Sequence, residues 1–345
     1  MVTITSFQET LDNLRALSKS IHLLLGNGFS IALNKNIFSY NSLFSNADFS
    51  KSPMLKNVFD ELKTNDFEII IRHLQNTAKI ISIYRPNLSR IIQRLNDDAN
   101  YLKDVLVKSI AGHHPSLPHD ISPSQYATTR TFLNNFSNIY TLNYDVLLYW
   151  SLMQDEVDSL KIKSDDGFRH PDDPQEPYVS WMQANKSNVH YLHGALHLFD
   201  KGTEVIKYTW SKTDVPLINQ IRKSLDEDKF PIFVTEGSWE SKMEKIMHNA
   251  YLHKSLRSFE GSVRSKTSSL VIFGHSLHEN DSHILNRIAE GSTQNLAISL
   301  YGDLISEENI NIIEQSKRLK SRRSRFSNVP LNVHFFDSET VRLWS

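Results

Sequence analysis

Four stretches of this sequence set a polar or glycine-containing turn directly after a short apolar run. They are Gly26-Asn27-Gly28-Phe29-Ser30 after Leu23-Leu24-Leu25, Thr141-Leu142-Asn143-Tyr144-Asp145 after Asn138-Ile139-Tyr140, His193-Gly194 after Val189 to Leu192, and Gly274-His275-Ser276-Leu277 after Ser269 to Phe273. Glycine lets a backbone turn sharply and approach an anion, and a helix starting there aims free N–H groups at it. His193 carries an imidazole, which titrates near neutrality and suits a general base. Asn143 and Asp145 add polar groups at a strand end. The first turn is not a complete dinucleotide fingerprint, because Ile31 stands at the third glycine position, and without Gly-Lys-Ser/Thr it is no P-loop. In open α/β sheets ligands bind outside the carboxyl ends of the strands, so four such ends can gather over one crevice.

The remaining chemistry-bearing residues read more simply. His190, His193 and His197 invite a metal reading, but a regular strand points His190 and His193 opposite ways and no acidic residue shares the segment. His113-His114 and Asp120, beside Pro115 and Pro118, suit a loop; His170 suits an exposed position. His248 and His253 are five apart, off the i, i+4 spacing of shared coordination, and read as surface or satisfied core residues. Glu236 and Asp281 read as caps or structural carboxylates. The basic run Lys317 to Arg325 reads as a solvated helix end favoured by the helix dipole, with phosphate or nucleic-acid contact as the alternative.

The elements that must carry these residues follow from hydrophobic spacing. Residues 6–19 predict a helix leading into a strand at 21–25, and Ile31-Ala32-Leu33 a helix ended early by Asn34-Lys35-Asn36. Phe38, Tyr40, Leu43 and Phe44 form an aromatic cluster taken as packing. Between residues 50 and 135 apolar residues recur every three or four positions with no strand pattern, predicting four or five helices. Residues 155–188 look like a long excursion or flap. Further strands are predicted at 189–199, 207–210, 231–237, 269–273, 296–301 and 331–336, and helices at 239–260, 282–290 and 307–320. The predicted fold is α/β: a doubly wound (Rossmann-like) parallel sheet from residues 1–49 and 136–345, with an inserted all-helical subdomain at 50–135.

Composition narrows the function classes. With 38 basic and 39 acidic residues among 345 there is no global field to draw the chain onto nucleic acid or an anionic membrane. The absence of cysteine removes disulfides, thiolate zinc sites and cysteine nucleophiles. Met1 to Thr5 show no basic n-region, and no run approaches the ~18 apolar residues of a membrane span. A soluble cytoplasmic protein is expected.

Taken together and in order, the four turns resemble motifs of the sirtuin-like (Sir2-like) superfamily: a glycine-rich first turn ending in Ser, a T-x-N-x-D strand, a His before Gly, and a late G-x-S-L turn. The resemblance covers the sheet and is closest to a bacterial branch labelled a domain of unknown function. It implies NAD as substrate, bound by Gly26, Asn27, Gly28, Phe29, Ser30, Thr141, Gly274, His275, Ser276 and Leu277, with Asn143, His193 and Asp145 as catalytic residues. Two departures shape the subtype. Protein-deacylating sirtuins hold a zinc module with four cysteines and this chain has none, so neither zinc nor another cofactor is expected; and Asn27 stands where deacylases usually carry Ala. The inserted helices resemble those of sirtuin-like NAD hydrolases of antiphage defence. That implies a restrained homo-oligomer, held by a partner ATPase or released by a phage-derived activator. The other classes left open are a non-catalytic NAD or ADP-ribose sensor, a metal-dependent hydrolase using the histidines and Asp281, and, last, a deacylase.

Overall fold

A computed structural model describes residues 3–345 except 172, 174, 183–186, 210–212, 214 and 236. The expectations for Glu236 and for the end of the 207–210 strand at Trp210 lie outside the described residues. The strands are β1 (Ile4–Thr5), β2 (Ser20–Leu25), β3 (Asn138–Thr141), β4 (Phe168–Arg169), β5 (Tyr178–Trp181), β6 (Val189–Tyr191), β7 (Leu198–Asp200), β8 (Val205–Tyr208), β9 (Ser268–Phe273), β10 (Asn295–Leu300) and β11 (Asn332–Asp337).

Seven of them form one all-parallel sheet in the order β1-β11-β10-β9-β2-β3-β6. β2 and β9 are buried almost end to end, as the apolar runs require of central parallel strands covered on both faces. The order reverses around β2: β3 and β6 follow on one side, β9, β10 and β11 on the other. Such a reversal opens a crevice at the strands' carboxyl ends. Register brings four of those ends level, since Leu25 lies opposite both Thr141 and Phe273, and Thr141 opposite Tyr191.

The region between β2 and β3 is helical, with Met54–Glu61, Phe67–Tyr84, Ser89–His113 and Pro123–Leu133 as its four longer helices. Phe67, Ile70, Ile71 and Leu74 belong to the same continuous apolar core as Leu23, Leu24 and Ile272, so the helices are packed onto the sheet. The aromatic cluster is packing: Phe44 meets Phe49 and Phe59 with ring centroids 5.5 and 4.8 Å away, while Tyr40 stays 41% exposed.

Several expectations need correction. The 155–188 excursion is not a free flap: buried Arg130 donates to Asp155, Asp158 and the Leu160 carbonyl, and β4 and β5 join β8 and β7 in a second, antiparallel sheet. The 189–199 strand stops at Tyr191, because Gly194 turns the chain at φ +79° and carries only a bridge to Phe233. The 239–260 helix is two helices, Trp239–His248 and Ala250–Arg264, parted where Asn249 adopts extended geometry and caps the second through Leu252 N. The basic run is not wholly solvated. Arg323 is buried and donates to the carbonyls of Ile288, Ala289 and Thr293, satisfying the end of helix Ser282–Glu290.

Candidate active site

The candidate site is built from the residues that follow the four level strand ends. The sheet's hydrogen bonding runs on past the strands: Gly26 N donates to the Phe273 carbonyl at 2.9 Å, Leu142 N to Leu25 at 3.0 Å, and Leu192 N to Thr141 at 2.9 Å. Gly28 N then donates to the Gly274 carbonyl at 2.8 Å, locking the first glycine turn to the last. A Cβ on Gly28 would lie 2.5 Å from Gly274 Cα, and one on Gly26 2.6 Å from the Gly274 oxygen. These glycines are therefore required by the contact between the two turns. Gly274 also holds φ +67°, which a side chain resists.

Beyond the first turn, Asn143 Nδ2 donates to Ser30 Oγ at 3.0 Å, and Ser30 Oγ donates to Asp145 Oδ2 at 2.5 Å. Asp145 Oδ1 takes Leu147 N at 2.9 Å, and Thr141 Oγ1 takes Asn143 N at 3.0 Å. Asn143 is thus held by a one-directional chain of donors ending on a buried carboxylate. Burial raises the Asp145 carboxyl above its ordinary range, against the hydrogen bonds from Ser30 and Leu147.

On the other side of Tyr144 stands His193, 2% exposed. Its ring lies 6.4 Å from that of Tyr144 and 5.0 Å from that of His283. Its Nε2 is 2.8 Å from His283 Nε2 and 3.8 Å from Asp281 Oδ1. Burial, with Lys242 beside it, holds His193 well below the usual imidazole range, so it is neutral at pH 7. Burial takes His283 down to about 3. His283 Nδ1 has no partner among the described residues. A proton there would be an orphaned donor, so the cheaper tautomer protonates Nε2 and donates to His193. His193 Nε2 then keeps its lone pair. Gly194 lets the chain pass here, for a Cβ would lie 1.9 Å from the Ile232 oxygen.

Asp281 gathers the late turn. Its Oδ2 accepts from His275 Nε2 at 2.9 Å and its Oδ1 from Lys242 Nζ at 2.9 Å, while Lys242 also donates to Glu68 Oε2 at 2.6 Å. Leu277 N donates to His275 Nδ1, which fixes the His275 tautomer. Asp281 takes the N-cap position of helix Ser282–Glu290 without capping it by its side chain, so the cap reading gives way to an ion-pair role. His193, Asp281 and His283 approach closely enough to share a metal ion, their ligand atoms lying within 4.8 Å of one another. Both Asp281 oxygens are already engaged, one by the buried Lys242 ammonium, which a cation would have to displace.

The remaining expected residues divide by exposure. Phe29 is core: its carbonyl accepts from Trp344 Nε1 at 2.9 Å and its ring meets Trp344 edge-on. Asn27 donates to the Phe38 carbonyl, Leu277 is fully buried at φ +56°, and Ser276 faces solvent. Ser30, with its hydroxyl committed to Asp145, is a support and not a free donor. A helix begins at Gly28, but none begins at Gly274: helix Ser282–Glu290 starts eight residues later, so a helix N-terminus at the late turn is ruled out. His190 pairs with Ser258 Oγ and stacks on Tyr140, and His114 lies between Phe38 and Trp150.

Glu68, Lys242, Tyr144 and His283 were not singled out by sequence reasoning. The available signal was weak: Glu68 and Lys242 sit beside apolar positions of amphipathic helices, at Phe67 and Ile70 and at Met243 and Ile246 respectively. A cavity of about 500 Å³, whose lining includes Tyr40, Asn41, Asn65 and Asp66, opens at the start of the helix that carries Glu68.

Residues 23–344 match the model of a family described as Domain of unknown function (DUF4917). No curated protein matches. Among solved structures, one from work on the mechanism and regulation of Sir2 enzymes shares 13% identity over 91% of this chain and 99% of its own, at a TM-score of 0.37. Another, of Sir2Tm bound to a propionylated peptide, shares 13% identity over 94% and 100%, at 0.36.

Proposed function

The chain belongs to that family, Domain of unknown function (DUF4917), and we propose that it is a sirtuin-like NAD glycohydrolase, cleaving NAD to nicotinamide and ADP-ribose. The observation that carries this is the level arrangement of Phe273, Leu25, Thr141 and Tyr191, which delivers Gly274, Gly26–Ser30, Asn143 and His193 to one rim at the point where strand order reverses. A dinucleotide across that rim has the interlocked glycine turns for its pyrophosphate.

In this reading His193 is the general base. It is neutral at pH 7 with its Nε2 lone pair kept, and the Nε2 contact with His283 exchanges for a ribose hydroxyl or the attacking water. Asn143, fixed through Ser30 and Asp145, orients the nicotinamide ribose or that water against the oxocarbenium-like centre that forms as the N-glycosidic bond breaks. Asp145 acts through Ser30 and touches no substrate. The setting we infer is antiphage defence, in an oligomer restrained by a partner ATPase or released by a phage-derived activator; this rests on the sequence resemblance.

The test is to incubate the protein with NAD and measure free nicotinamide, with His193→Ala alongside. Release from the wild type that falls at least about a hundredfold in the variant supports the reading. Equal release from both removes it. Tight NAD binding without nicotinamide release, under every activating condition tried, selects the sensor alternative.

A further inference from the structure

We propose that Glu68, carried to the site by the inserted helix Phe67–Tyr84, is a neutral carboxylic acid below neutral pH and a positioning residue that sets Tyr144 beside His193 by donating its proton.

Tyr144 Oη lies 2.8 Å from the Val234 carbonyl and 3.0 Å from Glu68 Oε1. The hydroxyl has one proton and two acceptors within reach, so it serves only one of them; given to Val234, the shorter contact, it leaves Glu68 Oε1 without a donor. Glu68 Oε1 then faces a hydroxyl oxygen that has nothing left to give, unless the carboxyl carries a proton itself. With a proton on Oε1 every group is served: Lys242 donates to Oε2 at 2.6 Å, Glu68 donates to Tyr144, and Tyr144 donates to Val234.

Charge balance agrees. The groups facing Glu68 are Asp66 on its own helix, Tyr40, Tyr144, Lys242 and Asp281. One buried cation serves two carboxyls. Against burial, Lys242 and the His275 hydrogen bond hold Asp281 well below the carboxylate range, so the ammonium's counter-charge is Asp281. Burial, opposed by Lys242 and reinforced by Asp281 and Asp66, pushes Glu68 up to about 7.

The link reaches the site through the backbone. Val234 N donates to the His193 carbonyl at 3.0 Å, so the residue that takes Tyr144's proton also holds His193. When Glu68 ionises, the Tyr144 proton turns to the carboxylate and the Val234 tie is lost. The inserted helix thereby sets the geometry of a residue far along the chain. The effect on catalysis rests on the NAD-cleaving reading; the proton does not.

Three measurements on the full chain separate the two. Infrared spectra are expected to show a protonated-carboxyl band at about pH 6 that is lost by about pH 8.5, with this pH-dependent band missing in Glu68→Gln. Melting temperature of the wild type should fall relative to Glu68→Gln by a few °C across the same range, since the folded state gives up a proton there that the unfolded chain has already lost. NAD cleavage at about pH 6 should exceed that at about pH 8.5 by about tenfold or more in the wild type, with the ratio falling toward one in Glu68→Gln. Absence of the band together with parallel melting curves overturns the proposal. If neither protein cleaves NAD, the enzymatic reading fails while the first two measurements still decide the proton. Should Glu68→Gln not fold, Tyr144→Phe serves: removing the proton's acceptor should move the band to higher wavenumber, and an unmoved band overturns the proposal.

Discussion

Gly28 N donates to the Gly274 carbonyl at 2.8 Å, and no atom larger than hydrogen fits on either α-carbon where the two turns meet. Two turns far apart in the sequence are thereby made one surface. Gly28→Ala would drive a methyl to 2.5 Å from Gly274 Cα, a contact between two backbones that cannot yield like a flexible side chain. Gly28→Ala is expected to cost at least about 2 kcal/mol and to abolish NAD binding; a melting curve within about 1 °C of the wild type would contradict it.

Asn143 and Ser30 act as one unit. Asn143→Ala should cut nicotinamide release at least about a hundredfold, and Ser30→Ala should lower it through the loss of Asn143's anchor. The double variant should be no worse than Asn143→Ala, because the second change removes a support with nothing left to hold. Additive losses in the cycle would separate the two residues.

Arg323 is a structural residue inside a basic run. Its planar fork reaches three carbonyls at 2.6–2.8 Å, which a lysine's point charge cannot do together. Arg323→Lys should destabilise the fold by about 1–3 kcal/mol, measured by denaturant midpoint, while its exposed neighbour Lys320→Ala should leave the midpoint unchanged.

Acid should unfold the protein earlier than carboxylates alone would bring about. Burial lowers His22, His114 and His190 each to about 4 from an ordinary value of 6.5. Between those values the unfolded chain binds protons that the folded chain refuses, so the stability they contribute is present above about pH 6.5 and lost as pH falls toward about 4. His114→Gln should flatten part of that slope in melting temperature against pH; an unchanged slope would place the proton elsewhere.

How much of this was legible depended on the range over which the physics acts. Leu23-Leu24-Leu25 before Gly26, or Ser269 to Phe273 before Gly274, declare a buried strand and a turn because an apolar run of strand length and a missing Cβ are local facts. The parallel α/β class and the helical block followed from the same short-range periodicities. Strand limits were less legible: the 189–199 run alternates well, yet Gly194 and its bridge to Phe233 end the strand at Tyr191, an effect of tertiary contact.

By itself, then, the sequence determined which residues would stand at strand ends and that glycine would be needed there. Only the tertiary structure decided that Gly26, Gly28 and Gly274 are needed for one another, and that Glu68 and Lys242, 174 residues apart, would share a buried hydrogen-bonded cluster with Asp281 beside His193. On a single helix a charged residue next to an apolar stripe looks the same whether it meets water or an opposite charge. The difference lies in what packs against it, which no local pattern records.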